Sequence, residues 1–169
     1  TLAGSSAASD VYKRQSGGVL MIGRHLIKSF SRQQKVIALS SAEAELYACT
    51  ATSAEILGVQ ACSRDLGRDL EASIYLDASA ALGVIQRRGL GKQRHVGTQS
   101  LWLQAANVEK RLKFEKVDGA RNPSDLMTKH VPEVLMKRHM AYINAIPETG
   151  RADSAPAIGT FAEPEPGPD

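Results

Sequence analysis

Three carboxylates stand in or beside stretches that otherwise read as protein interior. They are Glu45 in Leu39-Ser-Ser-Ala-Glu-Ala-Glu-Leu46, Asp77 in Ile74-Tyr-Leu-Asp-Ala-Ser-Ala-Ala81, and Asp125 in Asn122-Pro-Ser-Asp-Leu-Met-Thr-Lys129. An ionised acid withdrawn from water costs on the order of several kcal/mol unless it is paired or binds a cation. A divalent metal shared by all three is the most economical way to meet that cost. Each acid also suits a plainer role. Glu45 fits the first turn of a helix, where the dipole favours negative charge. Asp77 fits a helix N-cap, and Asp125, following Ser124, fits the start of another helix.

Those acids need elements to carry them. Ser40 and Glu43 form a capping box, and Leu46, Cys49, Ser53, Ile56, Leu57 and Gln60 follow at helical spacing. This predicts a helix from Ser41 to about Leu66 with a Gly67 stop, and makes Glu43 the cap partner. Ala72 to Asp77 reads as a strand running into an Ala-rich helix, Ser79 to Gln86. Asp77 therefore lies at a strand-to-helix junction, where α/β folds present their chemistry. Earlier, residues 18–22 and 25–31 are β-prone runs joined through Gly23-Arg24, a hairpin signature.

Val96 to Lys110 reads as helical, with Trp102 as a packing residue, and Leu112 to Val117 alternates apolar and charged residues as a strand with one wet face. Asp118 to Pro123 is a turn by composition. Ser124 is expected to cap a short helix carrying Asp125, and a last helix near Glu133 is expected to anchor through Val134, Leu135, Met140 and Ile143. Residues 1–15 show no periodicity and are expected to be disordered. Residues 16–146 form the expected domain, and the Pro-rich acidic stretch 147–169 an expected disordered tail.

Charge and composition narrow the field. Up to Glu148 there are 20 Lys and Arg against 14 Asp and Glu, formally +6, whereas the remainder holds one Arg against four acids. Arg87, Arg88, Lys92 and Arg94 crowd one Gly-rich stretch, which fits a phosphate-contacting loop or, equally, a solvated connector. No apolar run reaches the roughly 20 residues needed to span a bilayer, so no membrane association and a soluble, cytoplasmic protein are expected. Cys49 and Cys62 fall too far apart on one predicted helix to form a disulfide, and both are expected to be buried thiols. His25, His130 and His139 show no zinc spacing, and Ser40-Ser41 have no His and Asp partners for acyl transfer.

Five segments, taken in order, resemble a known family: Ser16-Gly-Gly-Val-Leu20, Lys35-Val-Ile-Ala-Leu-Ser-Ser-Ala-Glu-Ala-Glu-Leu-Tyr47, Tyr75-Leu-Asp-Ala-Ser-Ala-Ala81, Lys92-Gln-Arg-His95, and Asn122 to Lys129. They resemble the ribonuclease H domain of the Pol polyprotein of copia-type LTR retrotransposons. The resemblance implies an α/β fold, a five-stranded mixed sheet flanked by helices. It implies Glu45 as a helix-borne metal ligand, Asp77 as a strand-end ligand and Asp125 as a ligand after the last strand. It also implies two Mg2+ ions, with Mn2+ as substitute, and an RNA/DNA hybrid as substrate. Arg87, Arg88, Lys92 and Arg94 would contact its phosphates. The reverse transcriptase portion of the same polyprotein would be the partner, and a virus-like particle the setting.

The departures bear on activity. Family members carry a first catalytic aspartate on a strand before the Ser-Gly-Gly, whereas residues 1–15 offer only Asp10 in another context. The expectation is a domain whose first strand is missing or replaced, and whose hydrolysis is impaired by loss of that acid. A noncatalytic remnant that binds nucleic acid or packs beside the polymerase is the alternative. Gly97 replaces the aspartate common after the His95 pair, which weakens any role for His95, and Asp118 to Pro123 holds no proton-shuttling histidine.

Overall fold

The computed structural model describes residues 2–7, 15–89, 91 and 97–146. Five strands form one mixed sheet: β1 (Leu2–Ala7), β2 (Gln15–Ile22), β3 (His25–Gln33), β4 (Ser73–Leu76) and β5 (Lys113–Lys116), in the order β3-β2-β1-β4-β5. β1 is antiparallel to β2 and parallel to β4, and β4 is parallel to β5. Helices α1 (Ser41–Asp65), α2 (Ser79–Gln86), α3 (Gly97–Val108) and α4 (Glu133–Tyr142) complete it, with short 3₁₀ turns at Gly119–Arg121 and Pro123–Met127.

The strand at the sheet centre is the chief departure from expectation. Residues 2–7, read as part of a disordered segment, form β1, so an N-terminal strand is present but built from Leu-Ala-Gly-Ser-Ser-Ala without an acid. Small residues hide its strand character because it has no apolar alternation. Ladders on both sides hold it instead, Gly4 opposite Val19 and Tyr75, Ser5 opposite Gly18 and Leu76. Tertiary pairing here overrides local propensity.

Why the helices form where they do is local chemistry. The Ser40 hydroxyl accepts the Glu43 N–H at 3.2 Å, while the Glu43 carboxylate accepts the Leu39 N–H at 2.8 Å and the Tyr47 hydroxyl at 2.8 Å. Burial, and then that carboxylate, pushes the Tyr47 phenol up to about 12. At the far end Gly67 adopts φ +74, and the Arg68 N–H reaches the Ser63 carbonyl at 2.9 Å, closing the helix as a Schellman-type stop. β3 is mostly exposed at the sheet edge and is tied to α1 by Lys28 and Arg32, 2.6 and 2.5 Å from Glu55.

One sheet face packs against α1, α2 and α3 over Leu20, Leu46, Ile56, Ile74, Leu76, Ile85, Leu103 and Phe114. Each such large side chain contributes roughly 1.5–3 kcal/mol by leaving water. The other face holds a smaller cluster, Val19, Met21 and Ile143 with Leu126 and Met127. Glycines admit the Pro123–Met127 turn to that face. A Cβ at Gly4 would stand 2.5 Å from Ser124 Oγ, and one at Gly17 2.5 Å from Thr128 Cγ2.

Three smaller expectations change. Asn122, not Ser124, caps the turn bearing Asp125, its Oδ1 accepting the Ser124 N–H at 3.2 Å. Val134 is 79% exposed, and the last helix docks through Ile143, as expected, and through His139, which was not among the expected anchors. Cys49 is buried as expected, but Cys62 is exposed because the later turns of α1 extend beyond the sheet's cover. The expected tail at 147–169 lies outside the described residues.

Candidate functional site

Asp77 follows β4 directly, and Asp125 sits in the Pro123–Met127 turn packed over β1 and β2. Neighbouring strands thereby bring together two acids 48 positions apart in the chain. Burial pushes the Asp77 carboxyl above its ordinary value, and the Asp125 charge pushes it further, while Lys129 and Lys116 pull the other way. A carboxylate raised by a like neighbour is one that gains from a cation placed between the two. Asp125 is 8% exposed and pairs with Lys129, Nζ to Oδ2 at 3.0 Å. The Lys116 ammonium donates to the Asp77 backbone carbonyl.

Glu45 is the fifth residue of α1, only 9% exposed, with Oε2 shielded from solvent. Its charge is felt one turn on. Burial chiefly, with Glu45 adding, pushes the Cys49 thiol up to about 12, against a hydrogen bond with Ser53 that pulls down. The structure joins Asp77 to Asp125 electrostatically. Among the described residues, no group of three or more His, Cys, Asp or Glu side chains gathers to hold a metal.

β1 runs alongside these residues. Ser5 pairs with Leu76, the residue before Asp77, and is fully buried, its Oγ without a hydrogen-bond partner among the described residues. Asn122 completes the frame. It is fully buried, and its Nδ2 donates to the Ser5 carbonyl at 2.8 Å while its Oδ1 caps the Asp125 turn. Sequence reasoning passed over Asn122, although an Asn directly before Pro is an N-cap signal. His139 is 1% exposed, and burial pushes its imidazole below the ordinary value while Asp125 pulls it up.

Of the basic residues singled out, Arg87 and Arg88 are exposed just past α2, and Lys92 and Arg94 lie outside the described residues. Gln104 of α3 holds this end of α2 in place. Its amide donates to the Val84 and Gly89 carbonyls at 2.8 and 3.0 Å, and its Oε1 accepts the Gly89 N–H at 3.0 Å. Arg87, Arg88, Leu101, Gln104 and Val108 line a shallow cleft of about 350 Å³ there.

Comparison with solved structures identifies the architecture. The chain resembles the ribonuclease H1 LC11 isolated from compost by a metagenomic approach, at TM-score 0.57 and 15% identity, over 75% of this chain and 90% of that one. The fold is ribonuclease H-like. The same enzyme in complex with RNA/DNA hybrid matches this ribonuclease H-like domain at TM-score 0.55 and 13% identity, over 75% and 91%. The N-terminal ribonuclease H domain of rv2228c from Mycobacterium tuberculosis, fused to maltose-binding protein, matches at 0.51 and 15%, over 83% and 96%. In sequence, the domain is similar to the retrovirus-related Pol polyprotein from transposon TNT 1-94 of Nicotiana tabacum, 29% identical over 129 residues. That alignment covers 74% of this chain and 10% of the relative, so the chain spans about a tenth of the polyprotein it matches. No family model matches the chain.

Proposed function

We propose that this ribonuclease H-like domain belongs to a copia-type retrotransposon Pol polyprotein and acts on the RNA strand of RNA/DNA hybrids, inside the cell, beside its own reverse transcriptase. The observation that carries this is the Asp77–Asp125 pair, two mutually repelling carboxylates brought together on a ribonuclease H-like sheet. Hard oxygen donors that oppose one another suit a magnesium-type ion, which keeps several waters and needs few protein ligands. The donor set fits one such ion, held by Asp77 and Asp125, and Glu45 on α1 is the further acid that the family resemblance offers. When bound, the ion would supply charge stabilisation for displacement at phosphorus. The chain's own groups do the rest. Asn122 holds the Asp125 turn against β1, and Arg87 and Arg88 supply cations for the phosphate backbone. α2 separates them from Asp77 by roughly 12 Å, about three to four base-pair steps.

Two observations favour a weak or silent site as the second reading. β1 has no acid, and no three-acid cluster forms among the described residues. Hybrid cleavage decides between them. A labelled RNA/DNA hybrid incubated with Mg2+ or Mn2+ is expected to lose its RNA strand slowly, and not at all with Asp77→Asn. A chain whose residues 2–7 are exchanged for an Asp-bearing strand should cut faster. Binding without cutting by both chains supports the noncatalytic reading, and cutting that survives Asp77→Asn places the chemistry elsewhere and ends the proposal.

A further inference from the structure

Lys129 stands one helical turn past Asp125, and its placement has consequences for any ion at the acid pair. Its Nζ lies 3.0 Å from Asp125 Oδ2, its side chain 45% exposed and that of Asp125 11%. The lysine therefore reaches in from solvent to a carboxylate that is almost closed off. Asp77 feels the same ammonium, which opposes the repulsion it receives from Asp125. The two carboxylates thus face the tethered Lys129 ammonium, with Lys116 a second cation acting on Asp77 from its backbone side.

We infer that Lys129 is a built-in counter-ion of the Asp77–Asp125 pair, which a divalent cation must displace in order to bind. This rests on the reading of those two aspartates as the metal-holding pair. A single ammonium cannot supply the field of a divalent ion, but it can occupy the Asp125 oxygen that the ion needs. Lys129 thus stabilises the metal-free fold and lowers metal affinity, two effects of opposite sign. The repulsion between a unit charge and a divalent ion about 5 Å apart in a largely aqueous dielectric corresponds to roughly a tenfold change in affinity. A lysine that served only to hold the turn in shape would raise stability and metal affinity together.

The test is Mn2+ titration of the full chain by calorimetry, with thermal melts in the presence and absence of the ion. Lys129→Met keeps the aliphatic stem and removes the charge. It is expected to bind Mn2+ roughly tenfold more tightly, to melt lower without metal, and to show a larger metal-induced rise. The gain should shrink at high salt, and Lys129→Arg should behave as the parent chain does. Unchanged or weaker Mn2+ binding by Lys129→Met, with binding still abolished by Asp77→Asn, overturns the inference and leaves the acid-pair reading standing. Mn2+ binding that Asp77→Asn does not alter, or no Mn2+ binding by the parent and Lys129→Met chains alike, overturns both.

Discussion

Asn122 donates its side-chain amide to the carbonyl of Ser5, 117 positions away, at 2.8 Å and shielded from water. The same side chain caps the turn that carries Asp125. One residue therefore couples the central strand to one half of the acid pair, linking the integrity of the sheet to the geometry of the site.

Asn122→Ala leaves the Ser5 carbonyl and the Ser124 N–H without their partner. Urea unfolding should show a loss of about 1–3 kcal/mol, and Mn2+ affinity should fall with it because the Asp125 turn loses its anchor. Native stability in this variant would mean that the bond is not formed in solution.

Gly17 and Gly58 should respond to alanine with opposite signs. At Gly17 a Cβ meets Thr128 and Met127 at 2.5 and 2.7 Å, and the overpacking should cost about 1–3 kcal/mol. At Gly58, on the exposed side of α1 with open space around it, the helix should gain about 0.5–1 kcal/mol. Chemical denaturation of the two variants checks both signs.

Asp77 and His139 give the metal-free protein two pH dependences of opposite direction. His139 is held below its ordinary 6.5, so the unfolded chain binds the proton more tightly, and stability falls as pH drops through 6.5 toward the folded value. His139→Leu should flatten that slope in denaturation series between pH 5.5 and 7.5, a range set by the ordinary histidine value of about 6.5. Asp77 is held above its ordinary 3.8, so its charge costs stability at neutral pH, a cost relieved as pH falls through the folded value toward 3.8. Asp77→Asn should consequently melt higher than the parent chain at neutral pH without metal, yet gain nothing from Mn2+.

Arg87 and Arg88 should set hybrid affinity more than sequence preference. Replacing both with alanine should weaken binding and reduce the slope of log affinity against log salt by about two, one for each lost phosphate contact. Fluorescence titration of a labelled hybrid at several salt concentrations measures this, and an unchanged slope would remove these residues from the interface.

Much of the framework could be read from local signals. The Ser40–Glu43 cap, the Gly67 stop, both ends of α2, the hairpin through Gly23 and the exposed alternation of β5 all depend on residues within a few positions of one another. The placement of Asp77 at a strand end was legible for the same reason. β1 was not, because Leu-Ala-Gly-Ser-Ser-Ala has no periodicity, and what makes it a strand is hydrogen bonding to β2 and β4. Nor was the exchange of Val134 for His139 as the anchor of α4, since apolar type alone does not say which side of a short helix meets the sheet.

The amino-acid order determined which elements form and which acids they carry, because capping, turn and periodicity signals act over a few residues. Only the tertiary structure decided which of those acids share a field. Asp77 and Asp125 come into one another's field because Gly4 and Gly17 let the Pro123–Met127 turn lie against β1 and β2, while Glu45 is carried by the first turns of α1. Electrostatic coupling depends on distance through space, and that distance is set by packing between segments that the chain order leaves far apart.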